Sequence, residues 1–122
     1  MNREQNSFPI NLLAKYNQIG YYQFMEKKIA HYPLADIKAL VKKGCVRATR
    51  TALEGAAALG FTFDDMKYVV ENLEVGDLHK SMTSQHDATI WQDVYRYPAE
   101  EEDIYLKLQI VGDAVIVSFK EL

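Results

Sequence analysis

Apolar residues early in the chain recur at the three- and four-residue spacing of an amphipathic helix. Leu34, Ile37, Leu40 and Val41 fall on one helical face. Gly44 is typical of the position that follows a helix end. The spacing therefore predicts a helix that ends near Gly44, and the residues of 46–49 predict a short strand.

Two further helices are predicted from capping patterns. Thr51 and Glu54 have the spacing of a capping box, and the alanine-rich segment that follows them ends at Gly60. The same spacing of a threonine and an acid at 62–65 predicts a third helix. We expect this helix to end at Gly76.

The second half of the chain changes to the two-residue alternation of strands. The predicted strands cover residues 78–83, 89–96, 103–111 and 114–120. Gly112 and Asp113 form a two-residue connection that is typical of a hairpin. Helices followed by such strands predict an α+β domain, with N-terminal helices packed on an antiparallel β-sheet.

The last hairpin fixes a register. If the chain turns at Gly112 and Asp113, Tyr105 lies opposite Lys120, with Cβ atoms about 5 Å apart, and Lys107 lies one step along the same face. The opposite face then buries Val115 and Val117 against apolar residues of the preceding strand.

The earlier hairpin has a longer, polar loop. A symmetric loop places Lys80 opposite Gln92 and Met82 opposite Ile90, and it points His79 to the other face. If this face is also the face of Tyr105 and Lys120, the two hairpins form a polar patch on one side of the sheet. Its members are Lys80, Gln92, Arg96, Tyr105, Lys107 and Lys120.

Such a patch has the chemistry for binding and cleaving a phosphodiester. Lysine and arginine neutralise a phosphate, and a tyrosine hydroxyl or lysine ammonium transfers a proton when neighbouring charges change its acidity. Cations around Tyr105 favour the phenolate. RNA carries its own nucleophile, the 2′-hydroxyl, so cleavage needs its activation, stabilisation of the phosphorane and protonation of the leaving oxygen.

Each feature also has a structural interpretation. Lysine and glutamine on strands are mostly solvent-exposed, and a strand tyrosine is commonly a half-buried sheet residue. Trp91 is typical of core packing, although aromatic rings also stack on unpaired bases. The basic residues of 38–50 are typical of a solvated surface and are also consistent with phosphate contacts.

Composition excludes several classes of protein. The chain has 122 residues, 48% of them hydrophobic and one of them cysteine, Cys45, so an internal disulfide is excluded. The net charge of −3 excludes a general basic field for nucleic acid, although 25–50 holds seven lysines and arginines against two acids. No metal-ligand spacing joins the three histidines to acids. Neither a membrane span nor a signal peptide is present, so we expect a cytoplasmic protein.

Residues 1–24 differ from the rest of the chain. They are rich in asparagine and glutamine and contain only three charged residues. We interpret this segment either as an N-terminal extension packed loosely on the domain or as translation upstream of the true start. The predicted domain is 25–122.

Several segments of the chain resemble the MqsR family of bacterial toxins. They are VRATRTAL at 46–53, LGFTFDDM at 59–66, KSMT at 80–83, TIWQDVYR at 89–96, IYLK at 104–107 and VIVSFKE at 115–121. The similarity runs from about Met25 to Leu122, and TIWQDVYR is its most specific segment.

The resemblance implies a toxin of a type II toxin–antitoxin pair. Members of the family are mRNA interferases that cleave single-stranded mRNA at GC-containing triplets, which inhibits translation and growth. They need no metal or other cofactor, and their fold is similar to that of the RelE and YoeB endoribonucleases. The implied partner is an antitoxin with a zinc-binding part and a helix-turn-helix DNA-binding part.

The resemblance also implies an active site. The family's catalytic residues fall on Lys80, Gln92, Tyr105 and Lys120, and the methionine beside the first lysine falls on Met82 as a substrate contact. Tyr105 is expected in proton transfer, the two lysines in stabilising the phosphorane, and Gln92 in orienting the phosphate or a base. The resemblance does not assign which of the two, Tyr105 or a lysine, is the acid and which is the base. To this set we add Arg96 as a phosphate contact.

The alternative function is a non-catalytic α+β module that binds a partner protein or nucleic acid as a regulator. The intact catalytic set favours the enzyme. The acidic loop 100–103 departs from what a phosphate-binding site favours, and it leaves the substrate preference open.

Overall fold

The computed structural model of the protein describes residues 25–121. The predicted N-terminal extension, residues 1–24, lies outside the described residues. The helices are α1 (Leu34–Lys42), α2 (Arg50–Ala58) and α3 (Phe63–Glu71), and the strands are β1 (Glu26–Lys27), β2 (Val46–Ala48), β3 (Leu78–Thr83), β4 (Trp91–Pro98), β5 (Asp103–Val111) and β6 (Asp113–Glu121). The α+β class is therefore confirmed.

Helix α1 forms where the apolar spacing predicts it, and α2 forms in the predicted alanine-rich segment but starts at a different cap. The predicted capping box of Thr51 and Glu54 is wrong. The cap is Thr49, whose side-chain oxygen accepts a hydrogen bond from the Ala52 amide. Glu54 instead forms an ion pair with Arg50 one turn earlier. Thr49 also donates to the carbonyl of Val117 at 2.8 Å, so the helix start is held on β6.

The third helix begins as predicted and ends earlier. Thr62 and Asp65 form a reciprocal capping box, which confirms the start. The expectation that the helix ends at Gly76 is wrong. Asn72 closes the helix because its side-chain amide donates to the carbonyl of Tyr68, and Gly76 lies in a separate 3₁₀ turn, Val75–Asp77.

The six strands form one sheet in the order β1-β3-β4-β5-β6-β2. The expectation of a purely antiparallel sheet is wrong, because β2 pairs in parallel with β6. The other neighbouring strands are antiparallel. A parallel pair needs a long crossover, and α2, α3 and the strands between β2 and β6 supply it.

The last hairpin differs from its predicted register near the turn. Val111 pairs with Asp113, so the chain reverses at Gly112 alone, where φ is +75°, and not at Gly112 and Asp113. A β-bulge at Val117 then shifts the pairing by one residue, so that Tyr105 faces Lys120 as predicted. The two deviations cancel beyond the bulge.

The same shift changes which residues of β6 face the helices. The predicted burial of Val115 and Val117 on the helix side is wrong, because Ala114 and Ile116 occupy that side and join the core. Val115 is buried on the opposite face, where it pairs with Gln109.

The hydrophobic core lies between the three helices and one face of the sheet. Its largest buried side chains from the sheet are Tyr95, Ile104, Leu106, Leu108, Ile116 and Phe119. Helix α2 lies close against β6, because a Cβ atom on Gly55 would be 2.1 Å from the Phe119 carbonyl oxygen. Within residues 25–121, no helix is both long and apolar enough to span a bilayer.

Candidate active site

Side chains, most of them polar, form three rows across the face of the sheet that points away from the helices. Each row follows from strand pairing, since paired residues point to the same face. The rows are Arg96–Tyr105–Lys120, Lys80–Val94–Lys107–Ser118 and Met82–Gln92–Gln109–Val115. We call this surface the sheet-face site.

The first row surrounds a tyrosine with cations. Tyr105 pairs with Arg96 of β4 on one side and with Lys120 of β6 on the other. The Nζ atom of Lys120 lies 5.5 Å from the centre of the Tyr105 ring. Tyr105 is half-buried, and the two cations are exposed. The row can therefore present a phenol and two positive charges to one anion.

The second row contains two lysines in different surroundings. The Nζ atom of Lys80 lies 2.6 Å from Oε2 of Glu26, which reaches it from β1. Lys107 is half-buried, and burial together with the charges of Lys120 and Lys80 lowers the pKa of its ammonium. In this row the charge of Lys80 is therefore balanced by a carboxylate, and Lys107 releases its proton more easily than an ordinary lysine.

The third row holds a pair of amides. Nε2 of Gln92 donates to Oε1 of Gln109 at 2.9 Å. Gln92 is 8% exposed and Met82 only 6%, so little of either side chain meets solvent. The hydrogen bond fixes the orientation of the Gln92 amide.

All six of the predicted site residues lie on this one face. The predicted register between β3 and β4 is nevertheless wrong by two residues, because Lys80 faces Val94 and Met82 faces Gln92. The asymmetry lies in the loop, where Ile90 remains outside the strand. A register shift of two residues leaves each side chain on the same face of the sheet, so the predicted residues still share one face. The catalytic and binding roles of these residues stay predictions.

Three residues in or next to the sheet-face site were not among the candidates from sequence. Glu26 is brought in by β1, whose two residues carry no strand signal. Gln109 follows Tyr105 and Lys107 in the alternation of β5, which was a usable signal. His79 is the extra residue of a β-bulge between Leu78 and Lys80, so the expectation that it points away is wrong.

The bulge brings His79 close to the charges of the site. Burial lowers the pKa of the imidazole, and so do the positive charges of Arg96, Lys28 and Lys80, against the opposing effect of Glu26. A bulge cannot be read from alternation alone, since alternation is the pattern that it interrupts.

A second polar cluster lies on the helix side and has a structural role. The buried carboxylate of Asp93 accepts hydrogen bonds from the amides of His31 and Tyr32 at 2.9–3.1 Å. The His31 ring stacks on Trp91, and the Nζ atom of Lys27 lies over the same indole at 4.2 Å. The cluster fastens the segment before α1 to β4.

No group of three or more histidine, cysteine, aspartate or glutamate side chains among residues 25–121 is arranged to hold a metal ion. The sheet-face site is instead rich in cations. Its positive charges are suited to a phosphate.

Comparison with known proteins identifies the family. The family described as "Motility quorum-sensing regulator, toxin of MqsA" matches residues 29–121. The chain belongs to the MqsR toxin family. It is 48% identical over 97 residues to a protein of Escherichia coli (strain K12) named mRNA interferase toxin MqsR. The aligned region covers 80% of this chain and 99% of that protein.

The MqsR match includes every residue predicted for the site. Residues 29–121 contain β3 to β6 and all three rows, whereas Glu26, which pairs with Lys80, lies outside the match. The chain is therefore a member of a toxin family and a homologue of an endoribonuclease. The family description names MqsA as the antitoxin partner of the family.

Proposed function

We propose that this protein is a sequence-selective mRNA interferase of a type II toxin–antitoxin pair. It cleaves single-stranded mRNA at GC-containing triplets in the cytoplasm, and cleavage inhibits translation and growth. The observation that carries the proposal is the position of Lys80, Gln92, Tyr105 and Lys120 on one sheet face. The relationship to a protein named mRNA interferase toxin supports the same function.

The reaction that fits this face is attack of the 2′-oxygen on the adjacent phosphorus. Tyr105 takes part in proton transfer, and Lys80 and Lys120 stabilise the charge of the phosphorane. Gln92, held by Gln109, orients the phosphate or a base. Arg96 contacts the phosphate beside Tyr105.

We propose that the reaction needs no metal ion. Protein cations can supply the charge neutralisation that a metal would otherwise give to a phosphorane. Met82 lines the substrate side of Gln92, although its small exposed fraction limits it to an edge contact.

The fold and the partner belong to the same proposal. Residues 25–122 would form the toxin domain with a RelE-like ribonuclease fold, in which the helices cover one sheet face and leave the other for RNA. The antitoxin would carry a zinc-binding part and a helix-turn-helix part. A gene for such a protein beside this one would support the pair.

A non-catalytic regulator derived from such a toxin is the second candidate. The acidic loop 100–103 and the carboxylate of Glu26 on Lys80 favour it, because both oppose an anionic substrate. The intact catalytic set weighs against it. Toxicity in cells does not distinguish the two, since a binding protein can also be toxic.

The deciding experiment uses purified protein and a labelled, unstructured RNA in the presence of EDTA. We expect discrete cuts that end in 2′,3′-cyclic phosphate. Tyr105→Phe and Lys80→Ala are expected to lower the rate by roughly 100-fold or more. Tyr68→Phe and Lys67→Ala are matched controls on α3, where Tyr68 is 62% exposed, and they should cleave normally.

Circular dichroism must find all four variants folded. Absence of cleavage by the folded wild type, with and without ribosomes, would overturn the enzyme and favour the regulator. Cleavage that EDTA abolishes would contradict the metal-free mechanism alone.

A further inference from the structure

The three lysines of the sheet-face site are not equivalent. Lys80 is paired with Glu26, and Lys120 is exposed beside the Tyr105 ring. Lys107 lies in the middle of the face, between Val94 and Ser118, and forms no ion pair with a carboxylate of residues 25–121. It is thus the central cation that remains available to a substrate.

Lys107 has the right position relative to Tyr105 for a two-group mechanism. The two residues are separated by one residue on β5, so they share a face and their Cα atoms are roughly 7 Å apart. In an in-line displacement the attacking and leaving oxygens lie on opposite sides of phosphorus. A base and an acid at this separation can reach the two oxygens with the phosphate between them.

The other two lysines are less well placed to reach the leaving oxygen. Lys120 pairs directly with Tyr105 and therefore lies beside the tyrosine, whereas Lys107 lies one step further along the same face. Lys80 is two strands away from Lys107 and already donates to Glu26. Both can stabilise charge, but neither has the position of Lys107.

We propose that Lys107 is a further catalytic residue, the proton donor to the 5′-oxygen that leaves during RNA cleavage. This role rests on the proposed ribonuclease function. As the bond from the 2′-oxygen to phosphorus forms, the bond from phosphorus to the 5′-oxygen breaks. The deprotonated phenol of Tyr105 takes the 2′-proton, and the Lys107 ammonium gives its proton to the 5′-oxygen. Exchange with water then restores both groups.

The lowered pKa of Lys107 supports this role. Burial and the charges of Lys120 and Lys80 make its ammonium a better proton donor than an ordinary lysine, and they reduce the cost of the neutral amine that remains.

The test compares two leaving groups. After the cleavage site is mapped, the same RNA is made with sulfur in place of the 5′-bridging oxygen at that linkage, because a thiolate leaves without a proton. Lys107→Met is expected to slow single-turnover cleavage of ordinary RNA by roughly 100-fold or more. On the sulfur substrate its rate should lie within a few-fold of wild type.

A further variant separates protonation from charge, and a second serves as a control. Lys107→Arg keeps the positive charge but holds its proton too tightly to donate it, so it should remain slow on ordinary RNA and fast on the sulfur substrate. Lys67→Met, a lysine of α3 on the other side of the sheet, should behave as wild type on both.

An equal loss on both substrates would overturn the proposal, since it would leave Lys107 a purely electrostatic role. Normal cleavage by a folded Lys107→Met would also overturn it. If the wild type cuts neither substrate, the proposed ribonuclease function is overturned. If the wild type is active and the Lys107 variants show no difference between the two leaving groups, only the proposed role of Lys107 is overturned.

Discussion

Lys80 enters the sheet-face site already bound to a carboxylate. Its Nζ atom lies 2.6 Å from Oε2 of Glu26, and its side chain is 22% exposed. Glu26 compensates the charge that a phosphate would otherwise meet. A partly exposed pair of this kind contributes little to folding, so its main effect falls on binding.

We expect Glu26→Gln to tighten RNA binding about two- to five-fold, which corresponds to 0.5–1 kcal/mol. The physical reason is the release of Lys80 and the loss of one negative charge near the phosphate. Fluorescence anisotropy with an uncleaved RNA, in the Tyr105→Phe background, measures the change. Added salt should weaken binding more steeply in the variant.

Glu71→Gln on α3 is the matched control, because Glu71 is exposed on the opposite side of the molecule. It should leave the affinity unchanged. Weaker RNA binding by Glu26→Gln would mean that the carboxylate positions Lys80 rather than competing with the substrate.

Gln109 supports a second prediction at the residue scale. Its Oε1 accepts the hydrogen bond that orients Gln92. We expect Gln109→Leu to lower kcat by about 10- to 100-fold with a smaller effect on KM, because the amide of Gln92 loses its fixed orientation. Steady-state cleavage assays check this, with Gln85→Leu in the exposed β3–β4 loop as the control. An unchanged kcat would remove Gln109 from the site.

The residues of the site were predictable because alternation is robust. A two-residue register error between β3 and β4 leaves Lys80 and Gln92 on the same face. Glu26 was not predictable, since its contact with Lys80 joins residues 54 positions apart through a two-residue strand. His79 was missed because a bulge breaks the pattern on which the prediction depended.

At the scale of elements, α2 packs closely on β6. Gly55 faces the carbonyl oxygen of Phe119, and a Cβ atom there would be 2.1 Å from it. The strand that carries Lys120 is therefore held by a helix behind it. This contact connects the core to the site.

Gly55→Ala is expected to destabilise the fold by about 1–3 kcal/mol, despite the better helix propensity of alanine, because α2 must move away from β6. Urea unfolding followed by circular dichroism measures it. Gly76→Ala is the control, since nothing lies within 4 Å of its added Cβ and its φ is not positive. A neutral or stabilised Gly55→Ala would contradict the close packing.

The elements themselves were largely predictable, and their ends less so. The helix starts at Thr49 and not at Thr51, because the donor and acceptor that cap it depend on β6 as well as on local spacing. The parallel pairing of β2 was also beyond the sequence. A strand of three residues shows no direction until its partner is known.

For the whole molecule, the lowered pKa values of two histidines predict that stability depends on pH. Burial and the nearby charge of Lys27 lower the pKa of His31, against the opposing effect of Asp93. The pKa of His79 is lowered as well. An unfolded histidine binds a proton near its ordinary value of about 6.5, whereas the folded one does not until a lower pH. The free energy of unfolding should therefore fall as pH falls through this range.

We expect the urea midpoint of the wild type to drop more than that of His31→Gln between about pH 7.5 and about pH 5.5. The comparison uses the drop within each protein, so the lost stacking on Trp91 does not affect it. His86→Gln, in the exposed β3–β4 loop, should drop as much as the wild type. An equal drop in all three proteins would contradict the role of His31.

The architecture at this scale follows from the order of patterns along the chain. Helical spacing first and alternation afterwards predicted an α+β domain with one polar face. The pairing of β1 at one edge and of β2 at the other was not predictable, because both depend on contacts across most of the chain.

The bulge at Val117 bears on how relatives of different length should be compared. Strand β6 has one residue more than its pairing with β5 requires, between Ile116 and Ser118. A relative with a one-residue gap here would keep regular alternation, with Lys120 still on the face that carries Tyr105. Strand β5 has no spare residue, so the same gap between Tyr105 and Leu108 would turn the tyrosine towards the helices. The position of a gap therefore decides whether a relative keeps the residues that match Tyr105 and Lys120 on one face of the sheet.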